Sequence, residues 1–298
     1  MKRPASKLLL MSLKAIIQQP KIIQMVFFWL PFLGGVLLIV GGGWYFYETK
    51  VQQPKMTYMG VPFTQNNFAN LTHTLRNEGY MVGYSEKLAN PLWVIYKVIN
   101  TKQKFGKRPK FKKDWRSLAG ITTYDYKGSG YTRGHLAPNY VIASRYGKKA
   151  QKETFLMTNI SPQKAAFNQK IWQRLEEVSA NHFSNKFDTF WVVTGPIFDK
   201  NPTQLKNTEI AIPKAFYKIF ITPKTDNHPV QALAFIIPQN AGKKDNLLNY
   251  VTTIDEVEKQ TNIDFFWRLE KEVEDNVESL IAYQAWELQK VANLPNRY

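Results

Sequence analysis

The sequence predicts an α+β domain, a mainly antiparallel sheet flanked by helices, preceded by one N-terminal transmembrane helix. Three observations carry this expectation. Four runs rich in Val, Ile, Phe, Trp and Tyr, at 92–99, 189–198, 215–222 and 231–238, are bounded by Gly, Pro or Asn as strands are. Helical patterns fall over roughly 163–184 and much of 264–293 and do not alternate regularly with the strands, which speaks against a doubly wound parallel sheet. Residues 22–47 contain no Asp, Glu, Lys or Arg.

That uncharged run is 26 residues long. As a helix rising about 1.5 Å per residue it spans about 39 Å, enough to cross a bilayer core of about 30 Å with tilt. Trp29, Trp44, Tyr45 and Tyr47 suit the two interfaces. A cleaved signal peptide is the competing reading, but the run ends in bulky Trp44-Tyr45-Phe46-Tyr47 where a small-x-small cleavage site belongs. An uncleaved signal anchor fits better. Residues 1–21 carry five bases and no acid, so they form a basic N-terminus expected in the cytoplasm, with the rest of the chain extracytoplasmic, either periplasmic or extracellular. Within it, residues 7–18 read either as a short amphipathic surface helix or as a plain basic leader. Residues 48–65, with Pro54 and Pro62, read as a linker, and 66–298 as the folded domain.

At 298 residues and 44% hydrophobic content, the chain is too apolar to be disordered and long enough to bury a large core. It has no cysteine, which excludes disulfide scaffolds, thiolate metal sites and cysteine nucleophiles. The net charge of +17 is uneven: residues 48–244 hold +18 and residues 245–298 hold −6. A field of that size attracts polyanions, with anionic lipid or simple solubility as the alternatives. The densest stretch is 97–116, with nine bases and one acid, Asp114, interleaved with Phe105, Phe111 and Trp115.

Two segments concentrate the chemistry. The first is Thr132-Arg133-Gly134-His135-Leu136-Ala137-Pro138; the glycines before and within it miss the dinucleotide-binding spacing by one residue. The second is Asn159-Ile160-Ser161-Pro162-Gln163, then Asn168 to Glu176, with Pro162 placed to start a helix. On that helix Asn168, Trp172 and Glu176 fall at i, i+4 and i+8, along one face. An amide oxygen beside a carboxylate is a hard-oxygen half-site for Mg²⁺; an exposed Asn and Glu flanking a packing Trp is the plainer alternative. His73, His182 and His228 show no metal-ligand spacing and read as surface or packing residues.

Taken together and in order, these segments resemble the DNA/RNA non-specific endonucleases, the ββα-metal group that includes endonuclease G. The likeness extends over about 60–285, through Trp93 to Tyr96, Arg108 to Asp114, Thr194 to Phe198, Ile212 to Lys218 and Thr261 to Phe266. It implies a ββα-metal fold and hydrolysis of phosphodiester bonds. His135 would be the general base, Asn168 the protein ligand to a single Mg²⁺ (with Mn²⁺ as a substitute), and Glu176 would hold the ion's water shell. Arg133 and Arg108 would neutralise the phosphate in the transition state. The chain departs from the family in having Thr132 where Asp is usual.

Beside such a motif, the basic stretch reads as the rim of a substrate groove, with Lys110, Lys112 and Lys113 on backbone phosphates. No base-reading module is evident, so DNA and RNA would be bound without sequence preference. The expected partners are therefore nucleic acid and a membrane, and a homodimer is compatible with the chain. Two other functions stay open: a catalytically silent nucleic-acid-binding membrane protein, favoured only by Thr132, and a phosphodiesterase acting on smaller phosphoesters.

Overall fold

The computed structural model describes residues 20–64 and 70–295. The chain divides into two compact units, residues 1–53 and 54–298. In the first, helix α1 (Pro20–Phe46) continues without a break into a π-helical turn, Tyr47–Gln52, and the helix ends at Met56. Its apolar side chains from Phe28 to Phe46 are largely exposed, with Leu38 at 78%. Among the described residues it is the one helix long and apolar enough to cross a membrane by length and composition. The basic segment 1–19, with its amphipathic-helix reading, lies outside the described residues.

The second unit is organised by an all-antiparallel, seven-stranded sheet in the order β1-β2-β3-β6-β7-β8-β9. The strands are β1 (Thr72–Asn77), β2 (Tyr80–Ser85), β3 (Asn90–Ile99), β6 (Thr189–Ile197), β7 (Ala215–Thr222), β8 (Gln231–Pro238) and β9 (Val251–Thr252). A separate two-stranded ladder pairs β4 (Thr132–His135) with β5 (Ile160–Gln163). The four strands expected from composition appear as β3, β6, β7 and β8, with β7 and β8 at the expected bounds.

Both faces of the large sheet are covered, so its strands are apolar on both sides and alternate only in which core they enter. From β3, Val94, Tyr96 and Val98 enter one core while Trp93 and Ile95 enter the other; from β7, Phe216 and Phe220 oppose Tyr217, Ile219 and Ile221. The first core takes in α2 (Asn139–Glu153), the helical stretch α3 over 167–186, and Trp286, Leu288 and Val291 from the C-terminal segment. The second takes in Tyr58, α4 (Ile254–Thr261), Phe265, Phe266 and α5 (Lys271–Ser279).

Four segments differ from expectation. Pro162 does not start a helix: it pairs with Arg133 inside β5, and Asn168 in the first turn of α3 donates its N–H to Lys164 O. α3 itself alternates π and α turns, Phe167–Trp172, Gln173–Val178 and Ser179–Phe183, which 3.6-residue periodicity does not anticipate. The tail 264–293 is broken into α5 and α6 (Leu288–Val291) rather than running as one long helix. The expected linker is helical to Met56, and beyond it Tyr58 is buried and Phe63 bridges to Asp264.

The C-terminal segment locks onto the first core through Trp286, which is 1% exposed and meets Phe183, Phe187, Phe190 and Phe220 at ring-centroid distances of 4.6–5.8 Å. Arg174 on α3 adds a polar tie, donating to Asp245 O, Lys243 O and Ala292 O at 2.8–3.2 Å. Replacing Trp286 by Ala removes the ring from four aromatic partners. It should lower stability by about 3–5 kcal/mol, read as a lower urea midpoint by circular dichroism at an unchanged slope. A midpoint within error of the parent protein would show that the C-terminal segment is not part of the cooperative core.

Candidate active site

The site begins with the β4–β5 ladder, whose register places Thr132 opposite Gln163, Gly134 opposite Ser161 and His135 opposite Ile160. A Cβ at position 134 would run into the Gln163 side-chain amide, so glycine there leaves room for that buried side chain. β5 is tied to the large sheet by Ser161 Oγ, which donates to Asn90 Oδ1 at 2.7 Å, and by Gln239, whose amide donates to Pro162 O and accepts from Lys164 N.

The chain beyond His135 is held by one buried side chain. Asn159 Oδ1 accepts from Ala137 N at 2.8 Å, while its Nδ2 donates to Ala137 O and Thr154 O at 3.1 and 2.9 Å. Its backbone carbonyl accepts from Leu136 N. This fully used amide explains why Asn159 belongs to the motif although it stands outside the cleft.

A cleft of about 610 Å³ opens between β4, the start of α2 and α3. Its lining brings together five residues expected at the site: Arg108, Arg133, His135, Asn168 and Glu176. Lys110, Lys112 and Lys113 are exposed on the Arg108 loop but do not line the cleft. That loop is stapled beside β5 by backbone bonds between Lys112 and both Phe155 and Met157. Asp114, 2% exposed, anchors its far end. Burial alone would raise its pKa, but hydrogen bonds from Arg116 and Thr158 outweigh this and hold the carboxylate below its usual range. Arg116 is therefore a structural partner rather than part of a groove rim. Lys97, in β3, lies over the Trp191 ring.

His135 sits against Phe155 and Phe111, with ring centroids 4.8 and 5.4 Å away. Arg133 stacks on Phe111 at 4.9 Å and donates to Thr123 Oγ1, and Arg108 stacks on Phe155 at 5.4 Å. Burial first, then the Arg108 charge, pushes the imidazole down to about 3, so it is neutral at physiological pH. Its Nε2 is buried without a hydrogen-bond partner among the described residues. No sequence signal marks Phe155 as the ring that walls the imidazole.

Thr132 turns out to serve Asn168. Its hydroxyl donates to Gln163 O at 2.8 Å and accepts from Asn168 Nδ2 at 2.9 Å. A hydroxyl has one proton, and the Gln163 carbonyl takes it; Thr132 can then only accept, which turns the Asn168 amide N–H toward it and releases the amide oxygen. Further along α3, Glu176 Oε1 is buried and unpartnered among the described residues. Beneath lies Lys218 of β7, 0% exposed, with its ammonium 4.3 Å from the centre of the Trp172 ring. Burial raises the Glu176 pKa and lowers that of Lys218, while each charge opposes the shift in the other. A freed amide oxygen and an unpartnered carboxylate oxygen on one cleft wall are hard donors suited to a divalent cation.

Comparison with known proteins identifies the family. The sequence pattern of the family described as DNA/RNA non-specific endonuclease matches residues 60–272. Nuclease C1 of Cunninghamella echinulata is 32% identical over 230 residues, covering 71% of this chain and 87% of that protein. Mitochondrial nuclease EXOG of Xenopus laevis is 30% identical over 212 residues, covering 65% and 58%. A nuclease of Serratia marcescens is 28% identical, covering 70% and 77%. The matched region is less than two thirds of the length of the EXOG nucleases. A crystal structure of an EndoG/EndoGI complex superposes with a TM-score of 0.58 at 22% identity, covering 67% of this chain and 88% of that one, and shares the fold. The family pattern spans well over half of the chain, and the chain belongs to the DNA/RNA non-specific endonuclease family.

Proposed function

We propose that the protein is a membrane-anchored, Mg²⁺-dependent endonuclease that hydrolyses the phosphodiester bonds of DNA and RNA without regard to sequence. The observation that carries this reading is the single cleft lined by His135, Arg133, Arg108, Asn168 and Glu176. A neutral imidazole walled by two phenylalanines is ready to take the proton of an attacking water. The two guanidiniums, stacked on those same rings, offer planar forks to the phosphate oxygens. Asn168 and Glu176 would hold the cation, which when bound supplies positive charge for the developing phosphorane and the leaving oxygen.

The exposed Lys110, Lys112 and Lys113 supply phosphate contacts that are blind to sequence. α1 supports the anchor, with the basic leader in the cytoplasm and residues 48–298 outside. Thr132, the residue that favours a catalytically silent protein at the level of sequence, has a defined place in the hydrogen-bond chain to Asn168.

With Mg²⁺ the protein should nick plasmid DNA and cut structured RNA, and EDTA should stop both. His135→Ala should lose about 10²–10⁴-fold in turnover with DNA affinity preserved. Mg²⁺-dependent cleavage near the parent rate in that variant would remove His135 as the base.

Thr132→Val keeps the shape but removes the acceptor that fixes the Asn168 amide. The Mg²⁺ concentration for half-maximal activity should rise about tenfold, and Thr132→Ser should restore it. An unchanged Mg²⁺ dependence in Thr132→Val would detach Thr132 from the metal ligand.

The lowered His135 pKa also has a direct readout. Its neutral form is favoured by folding, so stability is lost as pH falls below the ordinary imidazole value near 6.5. In a ¹H–¹³C titration the resonance missing from His135→Asn should still report a neutral ring at about pH 5, where an ordinary imidazole is almost fully protonated. A midpoint near 6.5 would contradict the desolvated setting.

A further inference from the structure

The second face of the sheet carries a cluster that the cleft chemistry does not use. α4 and α5 pack together there, burying Ile254, Val257 and Val277 in the second core. That packing brings Asp255 and Glu258 from α4 against Glu278 from α5, with one carboxylate oxygen of each within 4.8 Å of the other two. Oxygens bound to one Ca²⁺ at about 2.4 Å can be no farther apart than about 4.8 Å, so the three meet the spacing that a shared ion requires.

The cluster is not explained by pairing within the protein. Glu278 is 6% exposed, and its Oε1 has no hydrogen-bond partner among the described residues. Glu258 Oε1 accepts from Phe265 N at 2.7 Å, which fixes that carboxylate and leaves its second oxygen. The nearby lysines are engaged elsewhere: Lys271 with Glu274 and Asp275, and Lys259 with Glu256. Among the described residues no Lys, Arg or His forms an ion pair with Asp255, Glu258 or Glu278.

We propose that Asp255, Glu258 and Glu278 form a second cation site, selective for Ca²⁺, that clamps α4 to α5 on the sheet face opposite the cleft. Calcium accepts carboxylates in flexible geometry with six to eight oxygens, whereas Mg²⁺ demands a near-ideal octahedron and keeps most of its water. Three acids on two helices, with Asp255 exposed and open to water, suit the former. Burial, and then the charges of Glu258, Glu274, Asp255 and Asp264, push the Glu278 carboxyl up to about 9. Burial and the neighbouring acids likewise raise Glu258 to about 7, against the Phe265 hydrogen bond.

The test is thermal unfolding of the full-length protein in detergent, stripped with EDTA and returned to 5 mM CaCl₂ or 5 mM MgCl₂ at pH 7.5. The Asn168→Ala background removes the proposed ligand in the cleft. Calcium at about ten times its dissociation constant should raise the melting temperature by about 3–5 °C, and magnesium by less. That shift should disappear in Glu278→Gln and shrink in Asp255→Asn, whose exposed position leaves packing untouched. Glu278→Gln should melt at or above the ion-free parent, because it relieves a crowded carboxylate. A calcium shift that survives both substitutions, an equal response to magnesium, or no shift in the parent would each overturn the site. Failure of Glu278→Gln to fold transfers the decision to Asp255→Asn, where an undiminished shift would overturn it equally.

Discussion

A fully enclosed ammonium cannot remain in a sheet without an anion nearby, and this requirement shapes the floor of the cleft. Lys218 stands in β7 among Phe216, Tyr217, Ile219 and Phe220, all sealed from solvent. Its long stem lets the charge reach the face where α3 crosses, and there it meets the Trp172 ring and the field of Glu176. The Lys218 ammonium and Glu176 Oε1 have no hydrogen-bond partner among the described residues, so the two groups act on each other through the field alone.

The same logic of full satisfaction governs the β4–β5 ladder. His135 lies at the end of a four-residue strand, too short to hold itself, and the chain beyond it is fixed by Asn159, whose side chain makes three hydrogen bonds. Each such bond contributes about 1 kcal/mol net, but leaving the buried partners unpaired costs more, so the arrangement has one stable geometry. Thr132 extends this order to the neighbouring helix with a single proton. The position of the base thus depends on Asn159, a residue outside the cleft.

Much of this was legible in the sequence because the relevant signals are local. The strands β3, β6, β7 and β8 announce themselves by β-branched and aromatic runs, and the cleft residues other than Arg108 lie within two short segments whose order is distinctive. What the sequence concealed depends on contacts between distant segments. Pro162 reads as a helix start until Arg133 is seen pairing with it. Arg116 reads as one more base of the loop, yet it is bound to Asp114, Asn77 and the Arg76 carbonyl. The π turns of α3 leave no periodic trace, and the broken tail follows from Trp286 turning back into the first core instead of continuing a helix. Phe155 is invisible as a neighbour of His135 because no pattern connects them.

The two-sided covering of the sheet has an electrical consequence. Between residues 254 and 279 the chain has nine acids and three bases, and its helices α4 and α5 cover one face. The cleft helices α2 and α3 cover the other, and the Arg108 loop opens into that cleft. A body with charge separated in this way has a dipole moment, and a polyanion exerts a torque on it before any contact forms. At ionic strength low enough for the field to extend beyond about 10 Å, encounters become angularly biased, so that the acidic pole turns away and the cleft turns forward. The sheet thus separates the two charged faces as well as acting as a scaffold, and the orientation of each collision is biased at a distance.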